Sequence, residues 1–344
     1  MTDLLEKLRA GAELSGPDVA AMCAILLDES QSVESRSELL AALTRKGETA
    51  AEIAWFVRTL LAHALPVEVR HDGAPVMDVC GTGGDKLGLF NISTAVMFVA
   101  AACGVRVVKH GNRGVTSKSG GADVLEALGV RIDLGPQEAA QVLDDAGCVF
   151  LFAPRFHPAF KAVVPVRKRL AEQGVPTIFN KLGPLLNPAH PPFQLAGVFA
   201  PAMVDVYAAV FAELGKTRAW AVHGETPQGG LDEMSTLGPT VISAVEEGTI
   251  STRRLNARDH GVASPELAEL RGGDAATNAA LLEALLRGRA STAIRDMVVW
   301  NSAGALVVAG VAHGVDAGMA MAREALDTGA AAERLDALRA AARL

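Results

Sequence analysis

The sequence predicts an α/β protein: a small N-terminal helical domain, then a large α/β domain whose central, mostly parallel sheet is flanked by helices. Three observations predict it. Apolar residues recur at helical spacing as far as Pro66, short β-rich runs then alternate with helical runs, and Ala275 to Leu344 reads as helix throughout. A chain of 344 residues is long enough for about two domains. The texture change divides them into residues 1–66 and residues 67–344.

In the first domain Pro17 suits a first helical position, and Val19, Met22, Ile25 and Leu26 follow on one face. Leu39, Leu40 and Leu43 form a second stripe, which ends before Gly47. Thr49 and Glu52 have capping-box spacing, ahead of Ile53, Phe56, Val57 and Leu60. In the second domain the strand candidates are Val76 to Cys80, Val105 to Lys109, Cys148 to Ala153, Leu195 to Phe199 and Ala219 to His223. Helical runs at Thr94 to Cys103, Ala122 to Leu128, Gln137 to Asp145 and Ala202 to Leu214 separate them. Ligands in such a sheet bind beyond the carboxyl ends of the strands.

Composition narrows the function classes. Half of the residues are hydrophobic and 21% are charged, as in a soluble globular protein. The net charge of −7 argues against a general nucleic-acid binder, which needs clustered cations, but not against small phosphorylated ligands. Cys23, Cys80, Cys103 and Cys148 lie far apart in apolar runs with no CxxC pair, which disfavours zinc and fits reduced thiols. The N-terminus has no signal-peptide core, and Met297 to Val311 is too short to span a bilayer. These features predict a cytoplasmic protein without membrane partners.

Two strand-end loops are rich in glycine and donors. Gly81-Thr82-Gly83-Gly84-Asp85 follows the first strand and leads through Phe90-Asn91-Ile92-Ser93-Thr94 into an apolar helix. Glycines admit a ligand close to the backbone, and a helix start offers free N–H groups to an anion. Lys86 stands where a dinucleotide fingerprint requires its third glycine, and a plain tight turn would give the same pattern. Lys109-His110-Gly111-Asn112-Arg113, continuing through Thr116-Ser117-Lys118-Ser119-Gly120-Gly121, joins cations, hydroxyls and glycines into a polyanion cradle; a solvated basic turn is the alternative. Two such sites suit a ligand phosphorylated at both ends, such as phosphoribosyl pyrophosphate.

Gly230-Leu231-Asp232-Glu233-Met234-Ser235 places adjacent carboxylates in a glycine-containing turn, a candidate Mg²⁺ site beside phosphate loops. Around Arg155-Phe156-His157-Pro158-Ala159-Phe160, with Arg167 beyond, flat apolar residues and an arginine could receive an aromatic carboxylate, although a lone histidine there is more often structural.

The blocks GTGGD…FNIST, KHGNR…SKSGGADVLEALGV, HPAFK…VPVRK, TIFNKLGPLLNPA, HG…GLDEMS and GGDAATNAALL…RDMVVWNSAGALVVAG occur in that order. Together they resemble the anthranilate phosphoribosyltransferases of tryptophan biosynthesis, over nearly the whole chain. The resemblance implies a magnesium-dependent pentosyltransferase. It implies that Gly81, Gly84, Asp85, Asn91, Ser93 and Thr94 hold the pyrophosphate and ribose, and that Lys109, Gly111, Asn112, Arg113, Gly114, Thr116 and Ser117 wrap the phosphoribosyl group. Gly81, Asn112, His157 and Arg167 would bound the anthranilate channel. Asp232 and Glu233, with Ser93, would bind Mg²⁺, and Lys109, Asp232 and Glu233 would carry the catalytic charge. It also implies a homodimer through the helical domain, to which a segment at about 159–177 returns. The sequence departs from the family pattern at Leu89 (commonly Thr), Gly121 (commonly Ser), Phe160 (commonly Met) and Lys168 to Pro176, which carries an insertion. A pyrimidine nucleoside phosphorylase of the same fold would share the glycine loops but leave HPAF and Arg167 without evident purpose. A non-catalytic, nucleic-acid-binding paralogue is opposed by the acidic composition and the intact Asp232–Glu233 pair.

Overall fold

The computed structural model describes residues 1–70, 72–85, 87–114 and 118–343. Helices Thr2–Arg9, Gly16–Leu27, Val33–Lys46 and Ala50–Leu61 open the chain. The Thr49 capping box forms: its hydroxyl accepts from the Glu52 N–H, and the Glu52 carboxylate accepts from the Thr49 N–H. The same buried carboxylate takes the Leu14 N–H at 2.8 Å and the Lys46 ammonium at 2.7 Å, so one cap also ties neighbouring helices together.

The sheet has eight strands: β1 (Val76–Gly81), β2 (Arg106–Gly111), β3 (Cys148–Phe152), β4 (Phe193–Gly197), β5 (Arg218–Thr226), β6 (Gly229–Leu231), β7 (Pro239–Glu246) and β8 (Thr249–Asn256). Their order is β3-β2-β1-β4-β5-β7-β8, with β6 also paired to β5. The first five strands pair in parallel and are the five the sequence predicts. The antiparallel β6, β7 and β8 are additions to the predicted sheet. They escape the periodicity because β8 is an exposed edge strand, Thr-Ile-Ser-Thr-Arg-Arg-Leu-Asn, with little apolar alternation to detect. Glu247 and Gly248 both take positive φ in the β7–β8 turn, as a two-residue hairpin connection of the I′ type requires.

Helices Ile92–Ala102, Pro136–Ala146, Thr292–Val308, Val315–Asp327 and Ala330–Ala341 cover one face of the sheet and share its larger core. The other face, with Cys80, Ala196, Val198 and Ala219, packs with helix Met203–Glu213 and with the N-terminal helices. Val163, Val166 and Leu170, around helix Val164–Glu172, join this second core. Buried Arg36 donates from its guanidinium to the Leu26 carbonyl (3.2 Å) and the Ala162 carbonyl (2.8 Å), linking the helical unit to that later stretch.

Strands β1 and β4 lie side by side, yet their connections leave in opposite directions. One runs through Ile92–Ala102 to β2 and the other through Met203–Glu213 to β5. Divergence of this kind opens a crevice at the carboxyl ends of the two strands.

Candidate active site

The acidic turn sits in that crevice. Register pairs Gly81 at the end of β1 with Gly197 at the end of β4. Asp232 lies against both: a Cβ on Gly81 would overlap the Asp232 carboxylate, and a Cβ on Gly197 would overlap the Asp232 carbonyl. A Cβ on Gly224 of β5 would stand 2.5 Å from the Glu233 carbonyl. Three bare backbones thus let the Asp232–Glu233 turn settle onto the strand ends.

The turn is fastened to the first glycine loop. Asp232 Oδ2 accepts the Gly83 N–H at 2.7 Å, and Glu233 Oε1 accepts the Ser93 N–H at 3.2 Å. Lys109, on β2 and 4% exposed, donates from its ammonium to the Val79 carbonyl at 2.6 Å and the Ser93 hydroxyl at 3.0 Å. Its charge therefore lies under the loop, with Ser93 between it and Glu233.

The carboxylates are partly buried and crowded. Burial first, and then the neighbouring Asp85 carboxylate, push Asp232 up to about 7. Burial and Asp232 raise Glu233, against the pull of Lys109. The site thus holds more negative charge than its own cations neutralise. Because the folded value of Asp232 lies above its unfolded value near 3.8, its contribution to stability is fully present below 3.8 and lost as pH rises through about 7. In chelator, the melting temperature of wild type minus that of Asp232→Asn is expected to fall between pH 5 and pH 8. A difference that stays flat across that range would contradict this electrostatic picture.

The other residues named from the sequence fall into three groups. Gly84 packs beside Phe199, Asp85 accepts the Leu87 N–H at 3.1 Å, and Thr94 is buried under Gly121, where a Cβ would stand 3.3 Å from the Thr94 hydroxyl. Asn91 begins helix Ile92–Ala102, but its carboxamide accepts from Asn278 at 2.8 Å. In the second loop Gly111 abuts Phe150, and Asn112 accepts the Arg113 N–H at 2.7 Å. The Arg113 guanidinium is held by Glu126 and Asp123, while Asp123 takes the N–H groups of Gly114 (2.9 Å) and Gly120 (2.8 Å). This loop is braced by its own acids. Thr116 and Ser117 lie outside the described residues.

His157 and Arg167 belong to a row of rings. His110 meets His157 edge-on with centroids 5.2 Å apart, and His157 stacks on Phe160 at 4.9 Å. Phe160 meets Phe179 at 5.9 Å, and the Arg167 guanidinium lies 5.6 Å from the Phe179 ring centre. Exposed Arg167 makes no hydrogen bond or ion pair among the described residues. His157 Nε2 meets the Leu186 carbonyl at 2.9 Å, so that nitrogen carries the proton and Nδ1 is left without a partner. Burial lowers both histidine pKa values, that of His110 to about 3, and the rings are neutral.

Several residues of the site escaped the sequence reading. Asp78, buried in β1, accepts the His110 N–H at 3.2 Å and the Asn187 carboxamide at 2.9 Å; a carboxylate inside the apolar run Val-Met-Asp-Val-Cys was the available signal. Phe179 and Asn278 lie inside the blocks TIFNKLGPLLNPA and GGDAATNAALL but received no role from them, and Gly197 had no local signal.

Two domain descriptions match the chain: "Glycosyl transferase family, helical bundle domain" over residues 2–64 and "Glycosyl transferase family, a/b domain" over residues 73–332. The anthranilate phosphoribosyltransferase of Thermomicrobium roseum is 45% identical over 340 residues, covering 98% of this chain and 95% of that protein. That of Moorella thermoacetica is 43% identical over 335 residues, covering 97% and 96%. Among solved structures, the enzyme of Thermus thermophilus superposes with a TM-score of 0.91 at 37% identity, covering 99% of this chain and 100% of that one. The Saccharomyces cerevisiae enzyme "in complex with PRPP and Mg" gives 0.88 at 27% identity, covering 99% and 97%. This chain belongs to the anthranilate phosphoribosyltransferase family.

Proposed function

We infer that the protein transfers the 5-phosphoribosyl group of phosphoribosyl pyrophosphate to the amine of anthranilate, releasing pyrophosphate, as a step of tryptophan biosynthesis. The observation that carries this reading is an acidic turn fastened to the first of two donor-rich loops at the strand switch point, in a chain of this family.

The donor set fits Mg²⁺. Asp232, Glu233 and the Ser93 hydroxyl offer hard oxygens; burial first, and neighbouring carboxylates second, disfavour the ionised carboxyls, and a bound divalent cation would offset both. Among the described residues no three His, Cys, Asp or Glu side chains form a self-sufficient cage, which suits an ion that shares its shell with water and phosphate oxygens. Bound there, Mg²⁺ would supply Lewis acidity and charge neutralisation for the pyrophosphate.

The chain's own residues do the rest. In the Gly81–Asp85 loop and at the start of helix Ile92–Ala102 the N–H groups of Gly83 and Ser93 go to Asp232 and Glu233. Those of Gly84 and Asp85 would therefore meet the pyrophosphate, with Asn91, Ser93 and Thr94 beside them. Lys109 supplies positive charge beneath Ser93 as the C1–O bond breaks and its electrons pass to the leaving group. Gly111, Asn112, Arg113 and Gly114, together with Thr116 and Ser117 outside the described residues, would contact the phosphoribosyl end. The anthranilate nitrogen, a neutral arylamine near pH 7, then forms the C1–N bond and sheds a proton. Gly81, Asn112, His157 and Arg167 hold the acceptor, its ring along the Phe160–Phe179 row and its carboxylate toward Arg167.

The direct test follows anthranilate fluorescence with and without phosphoribosyl pyrophosphate and Mg²⁺. Consumption should require both, and no donor-dependent loss would sink the reading. Release of free base from thymidine or uridine with phosphate would favour the phosphorylase instead. Arg167→Ala is expected to raise the KM for anthranilate about 10- to 150-fold, the worth of a charge-assisted contact of about 1.5–3 kcal/mol, with the donor KM little changed. A change confined to the donor KM would misplace the acceptor pocket.

The protein is inferred to act in the cytoplasm as a homodimer through residues 1–66 with the segment 159–177. Light scattering at a single-chain mass of 35.7 kDa would overturn the dimer. Among the described residues no helix is long and apolar enough to cross a membrane.

A further inference from the structure

Apart from the acidic turn, a later segment of the chain also reaches the donor loops. The Phe90 N–H donates to the Leu270 carbonyl (3.2 Å), the Gly272 N–H donates to the Gly88 carbonyl (2.9 Å), and Leu89 bridges Arg271 between them. Helix Ala275–Leu286 starts immediately afterwards, capped by Asp274, which accepts the Thr277 N–H at 2.9 Å. The next residue, Asn278, is 3% exposed.

Asn278 uses both ends of its carboxamide. Nδ2 donates to Asn91 Oδ1 and to Ser119 Oγ, each at 2.8 Å, while Oδ1 accepts the Gly273 N–H at 2.7 Å. Asn91 belongs to the first donor loop and begins helix Ile92–Ala102, yet its side chain makes no cap bond. Ser119 belongs to the second loop and immediately precedes Gly120, whose N–H Asp123 holds at 2.8 Å. One buried side chain therefore spans two loops that are far apart in sequence, from a third segment that carries no phosphate-binding motif. There is little slack around it: a Cβ on Gly272 would lie 2.5 Å from Asn278 Oδ1 and 2.8 Å from the Phe90 Cα.

The position demands two N–H donors at one tip and an acceptor beside them. An ionised aspartate keeps the acceptor but has no donor, leucine has neither, and serine supplies a single donor. Glutamine carries the right groups on a longer stem.

We propose that Asn278 is a positioning residue for the sugar donor, fixing the first glycine loop relative to the second so that both phosphorylated ends meet preset backbone donors. The inference rests on the donor-site reading given above. Loops already held at the right separation need not be ordered when ligand arrives, and affinity for the donor gains most. The acceptor lies along the His157–Phe160–Phe179 row, none of which Asn278 touches.

The test compares wild type with Asn278→Ala and Asn278→Asp by steady-state kinetics for each substrate and by thermal unfolding. Asn278→Asp preserves volume and the bond to Gly273, so it serves should the alanine variant not fold. The donor KM is expected to rise about 10-fold or more, as for the loss of one to two buried hydrogen bonds, while the anthranilate KM and kcat stay within about twofold. Unchanged donor KM in folded Asn278→Asp would overturn the proposal. So would equal losses toward both substrates that track a lower melting temperature, since that pattern describes a merely structural residue. A wild type without donor-dependent activity would remove the donor-site reading and this inference together; an active wild type with indifferent variants would remove this inference alone.

Discussion

Replacing Asp232 and Glu233 together by alanine is expected to lower turnover by about 10²–10³-fold or more at fixed Mg²⁺, while the protein still folds. Removing a single preorganised electrostatic contact to developing charge costs about 2.7–4 kcal/mol in other enzymes, and here two anchoring carboxylates go at once. The expectation follows from placement. Both residues take backbone N–H groups from the first glycine loop, at 2.7 and 3.2 Å, so their loss removes the metal ligands and loosens the loop that would grip pyrophosphate. Anthranilate fluorescence at saturating donor reads the turnover, and circular dichroism checks the fold. A double variant turning over near the wild-type rate would refute the metal assignment and the site with it.

The second large effect is expected from one methyl group. Gly197→Ala places a Cβ into the Asp232 carbonyl, with the Asp232 Cα 3.1 Å away, and the neighbour is backbone that cannot rotate aside. The acidic turn must lift off β4. Overpacking of this kind costs about 1–3 kcal/mol of stability, and a displacement of about 1 Å at a catalytic centre costs about 100-fold in rate. A matched control is Gly314→Ala, where φ is −176° and nothing lies within 4 Å of the added carbon. Gly197→Ala should lose about 100-fold in kcat while Gly314→Ala loses none. Equal activity in the two variants would mean that the turn is not held where the strand ends place it.

The comparison of sequence with structure divides along the range of the interactions involved. Alternation of apolar runs is local, so β1 to β5 and the intervening helices could be read from it, and the Thr49 capping box formed as its spacing foretold. The edge hairpin of β7 and β8 could not, because β8 buries neither face and is held as a strand by its pairing with β7. Loop chemistry was legible in kind but not in partners. Arg113 reads as a free phosphate ligand in Lys-His-Gly-Asn-Arg, yet Glu126 and Asp123 hold it in the structure.

By itself the sequence determined the class of fold, the glycine- and hydroxyl-rich loops at strand ends, the paired carboxylates and, through motifs in order, the family. Only the tertiary structure decided that Gly197 must be bare because Asp232 lies across it, that Phe179 links Phe160 to Arg167, and that Asn278 spans two donor loops. It alone also decided that burial and the neighbouring Asp85 raise the Asp232 carboxyl, and that burial and Asp232 raise Glu233. The reason is physical: periodicity and turn chemistry act over a few neighbouring residues, whereas close approach, orphaned hydrogen bonds and crowded charge exist only once distant segments share a volume.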